Sequence, residues 1–77
     1  MDIKVLGTGC PKCKKLEQAT IEAVAAAGID ATVSKVEDIF QITQFGVMTT
    51  PALVVDGKIA VKGRVPSVDE IKKLITE

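Results

Sequence analysis

The first part of the chain combines a short apolar segment with a long stretch of helical periodicity. Residues 3–6 form an apolar-rich run that suits a buried strand. After a glycine-containing break, Pro11 occupies the expected first position of a helix, because its ring fixes a helical φ. Gly28 is predicted to end this helix in a left-handed cap. The positions that repeat at helical spacing are Cys13, Leu16, Thr20, Val24 and Ala27.

A second strand and a short helix are predicted next. Residues 31–36 form the strand candidate. Asp38 is a suitable N-cap for a short helix that Gly46 closes. Phe40 and Phe45 stand at helical spacing within this segment. We therefore expect both rings to pack in or near the core.

The following segment has the pattern of a β-hairpin. Residues 52–55 and 59–61 are apolar-rich runs on either side of Asp56 and Gly57. This dipeptide is a strong signal for a tight turn, because both of its positions need positive φ. The two runs are therefore predicted to pair as antiparallel strands.

The C-terminal segment predicts a third helix and completes the fold. Ser67 begins it, and Glu70, three residues later, matches the capping-box pattern ahead of an apolar stripe. The predicted order is βαβαββα. A βαβ half with a parallel crossover joins a hairpin half, which predicts an α/β fold with a four-stranded mixed sheet flanked by helices. Residues 1–77 are expected to form a single domain.

Composition and charge narrow the possible classes of function. The chain is 47% hydrophobic and 26% charged, which is typical of a globular domain. Ten basic and ten acidic residues are mixed along it, so no basic stripe supports nucleic-acid binding. The apolar runs are too short to cross a bilayer, and no signal-peptide pattern opens the chain. We expect a cytoplasmic protein that binds neither nucleic acid nor membrane.

The two cysteines are close together, at the junction of the first strand and the first helix. A bridge between Cys10 and Cys13 would close a very short loop, worth only roughly 2 kcal/mol in the chain-entropy model. Such a bridge is poorly placed for stabilising the fold. The absence of histidine excludes cysteine–histidine dyads and mixed zinc sites.

The position of the pair predicts unequal roles for its two thiols. The i, i+3 spacing brings the sulfurs within bonding reach. Cys10, at the helix cap, faces unpaired backbone amides that stabilise a thiolate, which is the nucleophile in disulfide exchange. Cys13, one turn further, is expected to point towards the sheet. Cys10 is therefore predicted to attack disulfides and Cys13 to resolve the resulting mixed disulfide. Glu17, one turn beyond Cys13, is a candidate for accepting its proton.

Lysines crowd the start of the first helix, where the helix dipole disfavours cations. They are Lys12, Lys14 and Lys15. One interpretation is that they, and Lys12 above all, favour the Cys10 thiolate and steer an acidic partner. The other is that they form an ordinary solvated helix face. The sequence leaves both interpretations open.

Two motifs give the chain a family resemblance. Residues 9–13 read GCPKC, and residues 46–58 read GVMTTPALVVDGK. With this spacing and element order, the whole chain resembles the thioredoxin/glutaredoxin superfamily, and most of all its small prokaryotic redox-active disulfide proteins. The resemblance implies a thioredoxin-like fold and a redox-active disulfide of Cys10 and Cys13. Pro11 and Lys12, which lie between the cysteines, are the candidates for tuning the thiolate or steering a partner.

The resemblance also implies a substrate-binding loop. It predicts that Thr50–Pro51 is a cis peptide beside the disulfide and that the Thr50 backbone is free to pair with a client strand. Gly63 matches a family glycine near the same face, where a missing side chain lets a substrate approach. These residues are expected to bind substrate.

The leading hypothesis is a thiol–disulfide oxidoreductase that acts as an electron carrier. It implies a monomer without cofactor or bound metal, client disulfide proteins, and a disulfide reductase as electron donor. One alternative is a structural zinc half-site shared by two chains, since Cys10 and Cys13 have the spacing of half a site. The other is a redox-sensing or docking module, in which the disulfide controls partner binding.

Overall fold

The computed structural model describes residues 1–76 and contains the seven predicted elements in the predicted order. The predicted bounds agree with the observed ones to within a residue or two. No helix in this part of the chain is long and apolar enough to span a bilayer. The elements are β1 (Asp2–Leu6), α1 (Pro11–Ala27), β2 (Thr32–Val36), α2 (Ile39–Gln44), β3 (Ala52–Val55), β4 (Lys58–Lys62) and α3 (Val68–Thr76).

The four strands form one mixed sheet in the order β2-β1-β3-β4. β1 pairs in parallel with β2 and antiparallel with β3, and β3 and β4 form the predicted antiparallel hairpin. Asp56 and Gly57 both have positive φ, 51° and 81°, as the hairpin turn requires. β1 therefore lies inside the sheet, and the segment that follows it stands between β2 and β3.

Capping residues mark the helix ends. Gly28 adopts the left-handed conformation, with φ of 66°, and its N–H donates to the carbonyls of Val24 and Ala25. At the start of α3, Ser67 Oγ accepts a hydrogen bond from the Glu70 N–H at 3.1 Å. This is half of the expected capping box. The Glu70 carboxylate is bound instead by the guanidinium of Arg64, whose hydrogen bonds lower the pKa of Glu70.

The two faces of the sheet carry separate apolar clusters, because successive strand residues point to opposite faces. The cluster under α1 and α3 consists of Ile3, Val5, Leu16, Ala23, Leu53, Val61, Ile71 and Ile75. The cluster on the α2 face consists of Leu6, Val36, Ile42, Val47, Ala52 and Val54. Helices thus cover both faces, as the predicted architecture requires.

The expectation that both phenylalanines pack in the core is wrong for Phe40. Its side chain is 76% exposed, whereas Phe45 is partly buried against the α2-face cluster. α2 is only six residues long and buries Ile42 against the sheet. Phe40, two residues before Ile42, lies on another side of this short helix and points to solvent.

The difference between a buried and an exposed apolar side chain can be tested by truncation. We expect Leu53→Ala to lower the free energy of unfolding by about 2–5 kcal/mol, because Leu53 is fully buried in the α1/α3 cluster. Phe40→Ala, the control, should change it by no more than about 0.5 kcal/mol. Urea unfolding followed by circular dichroism measures both. A large loss for Phe40→Ala would contradict this assignment.

Candidate redox site

The cysteine pair lies where the chain leaves β1 and enters α1. Beyond Leu6, the Gly7 N–H donates to the Val36 carbonyl at 3.0 Å, so the connection remains attached to β2 for one more residue. Pro11 is the first residue of α1, as predicted, and Cys10 is its N-cap with an extended backbone. The helix therefore starts with its N-terminus directed at the Cys10 sulfur.

The two cysteines form a disulfide, with their Cα atoms 5.0 Å apart. The Cys13 N–H donates to the Cys10 sulfur at 3.2 Å, so the sulfur occupies the place of a capping side-chain oxygen. Cys10 is partly exposed, and Cys13 is only 5% exposed. The two cysteines therefore differ in exposure, as predicted. Cys10 lies at the N-terminal end of α1, and Cys13 is buried beneath the helix.

Gly7 provides the space that Cys13 occupies. A Cβ atom built on Gly7 would lie 2.8 Å from the Cys13 Cβ and closer still to its sulfur. Real Cβ atoms do not approach so closely, and rotation of the sulfur would leave the Cβ contact in place. A residue without a side chain is therefore required at this point for Cys13 to reach the end of β1. Sequence reasoning treated Gly7 only as an element break.

The predicted substrate-binding residues also lie together. Thr50–Pro51 is a cis peptide, as expected. Pro51 is buried and Thr50 is exposed, and the Pro51 carbonyl accepts a 2.8 Å hydrogen bond from the Gly63 N–H. Pro51 immediately precedes Ala52, which pairs with Leu6 at the end of β1. The loop and the cysteine pair are thus on neighbouring strands at the same end of the sheet.

The lysines at the start of α1 are all exposed: Lys12, Lys14 and Lys15. The first turn of this helix contains no acidic residue, and within residues 1–76 none of the three lysines forms an ion pair. Exposed positive charge therefore surrounds the start of α1, close to Cys10. Such charge favours a thiolate over a thiol.

A cavity opens beside Cys13, on the β2 side of β1 and away from β3. Its lining includes Glu17, Lys35 and Glu37 together with Cys13. Lys35 Nζ lies 3.5 Å from Glu17 Oε2 and 4.0 Å from Glu37 Oε1. Lys35 and Glu37 were not identified from the sequence. Only the pairing of β2 with β1, which sets Lys35 beside Val5, brings them to the site.

The described residues include no group of three or more cysteine or carboxylate side chains that could hold a metal ion. A disulfide at the N-terminus of the first helix, with a cis-proline loop at the same end of a mixed sheet, is the arrangement of a thioredoxin-fold redox protein.

Comparison with known proteins agrees with this class. Residues 1–76 match the family model described as "Thioredoxin domain". A protein named thioredoxin from Methanothermobacter thermautotrophicus is 43% identical over 76 residues, covering 99% of each chain. Another thioredoxin, from Methanocaldococcus jannaschii, is 42% identical over 71 residues, covering 92% of this chain and 81% of that one. The chain belongs to the thioredoxin family, and it is a thiol–disulfide oxidoreductase.

The steric role of Gly7 can be tested with a single methyl group. We expect Gly7→Ala to lower the free energy of unfolding of the oxidised protein by about 1–3 kcal/mol, because the new Cβ forces Cys13 away from β1. Thr8→Ala, a change at the exposed neighbouring residue, is the control and should have little effect. Denaturant unfolding measures both. Equal stability of the Gly7→Ala and wild-type proteins would show that Cys13 can move at no cost.

Proposed function

We propose that Cys10 is the attacking thiol and Cys13 the resolving thiol of this oxidoreductase. The observation that carries the assignment is the unequal placement of the two sulfurs. The Cys10 sulfur is partly exposed and accepts a backbone N–H at the helix N-terminus, whereas Cys13 is nearly inaccessible. A client disulfide can therefore reach Cys10, whereas Cys13 lies within bonding distance of the Cys10 sulfur and can attack that sulfur in a mixed disulfide.

The reaction transfers two electrons without a cofactor. The Cys10 thiolate attacks one sulfur of a client disulfide, and the other client sulfur leaves as a thiolate. Cys13, after losing its proton, attacks the Cys10 sulfur, which forms the Cys10–Cys13 bond and releases the second client sulfur. The client disulfide is reduced to two thiols, and the protein dithiol is oxidised to a disulfide.

The residues around the pair have supporting roles in this proposal. Pro11 starts the helix at the position where its missing N–H costs no hydrogen bond. Lys12, exposed in the first turn, favours the thiolate form of Cys10 by its positive charge. These contributions act on the reactivity of Cys10 and not on the packing of Cys13.

Client binding is assigned to the loop before β3. Thr50 is exposed, and the buried Pro51 beside it has no N–H to donate. An extended client segment can pair with the Thr50 backbone, in the manner of strand addition. Gly63, which donates to the Pro51 carbonyl, presents no side chain that would obstruct the client.

The partners follow from the chemistry. Client proteins with accessible disulfides accept the electrons, and a disulfide reductase returns the protein to its dithiol form. We place this cycle in the cytoplasm and assign it to a monomeric single domain.

Single-cysteine variants test the assignment of roles. Cys10→Ser should abolish attack on disulfides, whereas Cys13→Ser should retain attack and accumulate mixed disulfides with a client. Non-reducing electrophoresis after incubation with a disulfide-containing client detects the trapped species. Alkylation rate measured against pH should give a lower midpoint for Cys10, in the Cys13→Ser protein, than for Cys13, in the Cys10→Ser protein.

The opposite order of midpoints, or no trapped species with Cys13→Ser, would contradict the assignment. The wild-type protein should also catalyse many turnovers of client reduction by dithiothreitol. A protein that completes no more than one turnover would instead be a redox sensor or docking module.

A further inference from the structure

The lysines at the start of α1 lie on two different sides of the helix. Lys14 lines the cavity beside Cys13 together with residues of the β2 side. Lys12 and Lys14 are rotated from Cys13 by about 100° in opposite directions, because they precede and follow it along an α-helix. Lys12 therefore lies on the β3 side of α1, and Lys15, three residues later, shares that side. The cis-proline loop, which leads into β3, is on this side as well.

Another exposed lysine lies next to the cis-proline loop on β4. Lys62 is the last residue of β4 and pairs with Ala52, the residue after the cis-proline. The Gly63 N–H donates to the Pro51 carbonyl at 2.8 Å, and a Cβ atom built on Gly63 would lie 3.5 Å from Thr49 Oγ1. Lys62 therefore directly precedes a residue that is in contact with the loop to which client binding is assigned.

We call these three exposed lysines, Lys12, Lys15 and Lys62, the basic rim. Within residues 1–76 none of them forms an ion pair. Arg64, two residues beyond Lys62, differs from them, because both of its terminal nitrogens bind the Glu70 carboxylate. The charge of Arg64 is thus paired within the protein, whereas the ammonium groups of the basic rim face solvent on either side of the cis-proline loop.

The other carboxylates near the site lie away from the basic rim. Glu17 and Glu37 line the cavity on the β2 side, where Lys35 Nζ is within 4.0 Å of an oxygen of each. Asp69, in the first turn of α3, is two residues before the buried Ile71, so it is rotated by about 200° from that residue and points away from the sheet. The β3 and β4 side of the site therefore has an excess of positive charge, although the whole chain has ten basic and ten acidic residues.

We propose that the basic rim selects client proteins whose disulfide is flanked by acidic residues. The inference rests on the proposed function, because a client segment that pairs with the Thr50 backbone passes between the α1 lysines and Lys62. Carboxylates on that segment meet unpaired ammonium groups, and basic side chains are repelled. Exposed charges at the edge of an interface act mainly on the rate of association. The preference is therefore expected in the rate of client reduction, and salt should weaken it.

Three synthetic peptides test this preference. They have the same length and one intramolecular disulfide, which is flanked on both sides by glutamate, by glutamine or by lysine. The second-order rate constant for their reduction by the reduced protein is measured by acid quenching and chromatography. We expect the rate for the glutamate peptide to fall about 10-fold from low ionic strength to about 1 M salt, the lower end of electrostatic steering effects. The rate for the lysine peptide should rise, and that for the glutamine peptide should change little.

Lys62→Gln is the decisive variant, because Lys62 is not part of the helix that carries Cys10 and its charge acts on the client. At low ionic strength we expect this variant to reduce the glutamate peptide about 2- to 5-fold more slowly than the wild-type protein, which is the effect of one exposed ion pair. The rate for the glutamine peptide should be unchanged. Lys58→Gln is the matched control: it removes the same exposed charge from the same strand, beside the hairpin turn at the other end of the sheet. It should leave all three rates unchanged.

Three outcomes overturn the inference: a wild-type rate for the glutamate peptide in Lys62→Gln, an equal loss for the glutamine peptide in that variant, or an equal loss in Lys58→Gln. Failure of the wild-type protein to reduce the glutamine peptide would instead refute the proposed function. Circular dichroism checks that each variant is folded. If Lys62→Gln does not fold, Lys15→Gln makes the same test from α1, and a wild-type rate for the glutamate peptide in that variant overturns the inference.

Discussion

The contact between Cys13 and the end of β1 is the packing constraint on which the site depends. Cys13 reaches the sheet because Gly7 has no side chain, and this contact sets how the first turn of α1 approaches the strand. Once Cys13 is buried there, Cys10 is left at the N-cap, one turn earlier and closer to solvent. The unequal exposure of the two cysteines is therefore a consequence of one close approach between a helix and a strand.

The sheet order then decides what surrounds the pair. β1 lies between β2 and β3, so the segment after Leu6 has a neighbour on each side. On one side Ala52 pairs with Leu6, which brings the cis-proline loop to the same end of the sheet. On the other side β2 supplies Lys35 to the cavity next to Cys13. The cysteine pair is thus bordered by the cis-proline loop on one side and by a cavity with charged walls on the other.

The local sequence determined most of the secondary structure, because its signals act over a few residues. Pro11 and Gly28 delimit α1, and Asp56 with Gly57 specifies the hairpin turn through their shared need for positive φ. The cysteine spacing and the helix start likewise predicted where the reactive pair lies. The capping-box pattern predicted only part of the structure at Glu70, because the Glu70 carboxylate binds Arg64 and not the start of α3.

Only the tertiary structure decided which distant residues meet. The pairing of β2 with β1 brings Lys35 to the cavity beside Cys13, although more than twenty residues separate the two along the chain. The exposure of Phe40 was decided in the same way, because helical spacing alone does not say which side of a six-residue helix faces the sheet. The sequence by itself determined the elements and the reactive thiols. Strand order and helix packing determined their environment, because burial and charge proximity arise only when separate segments come together.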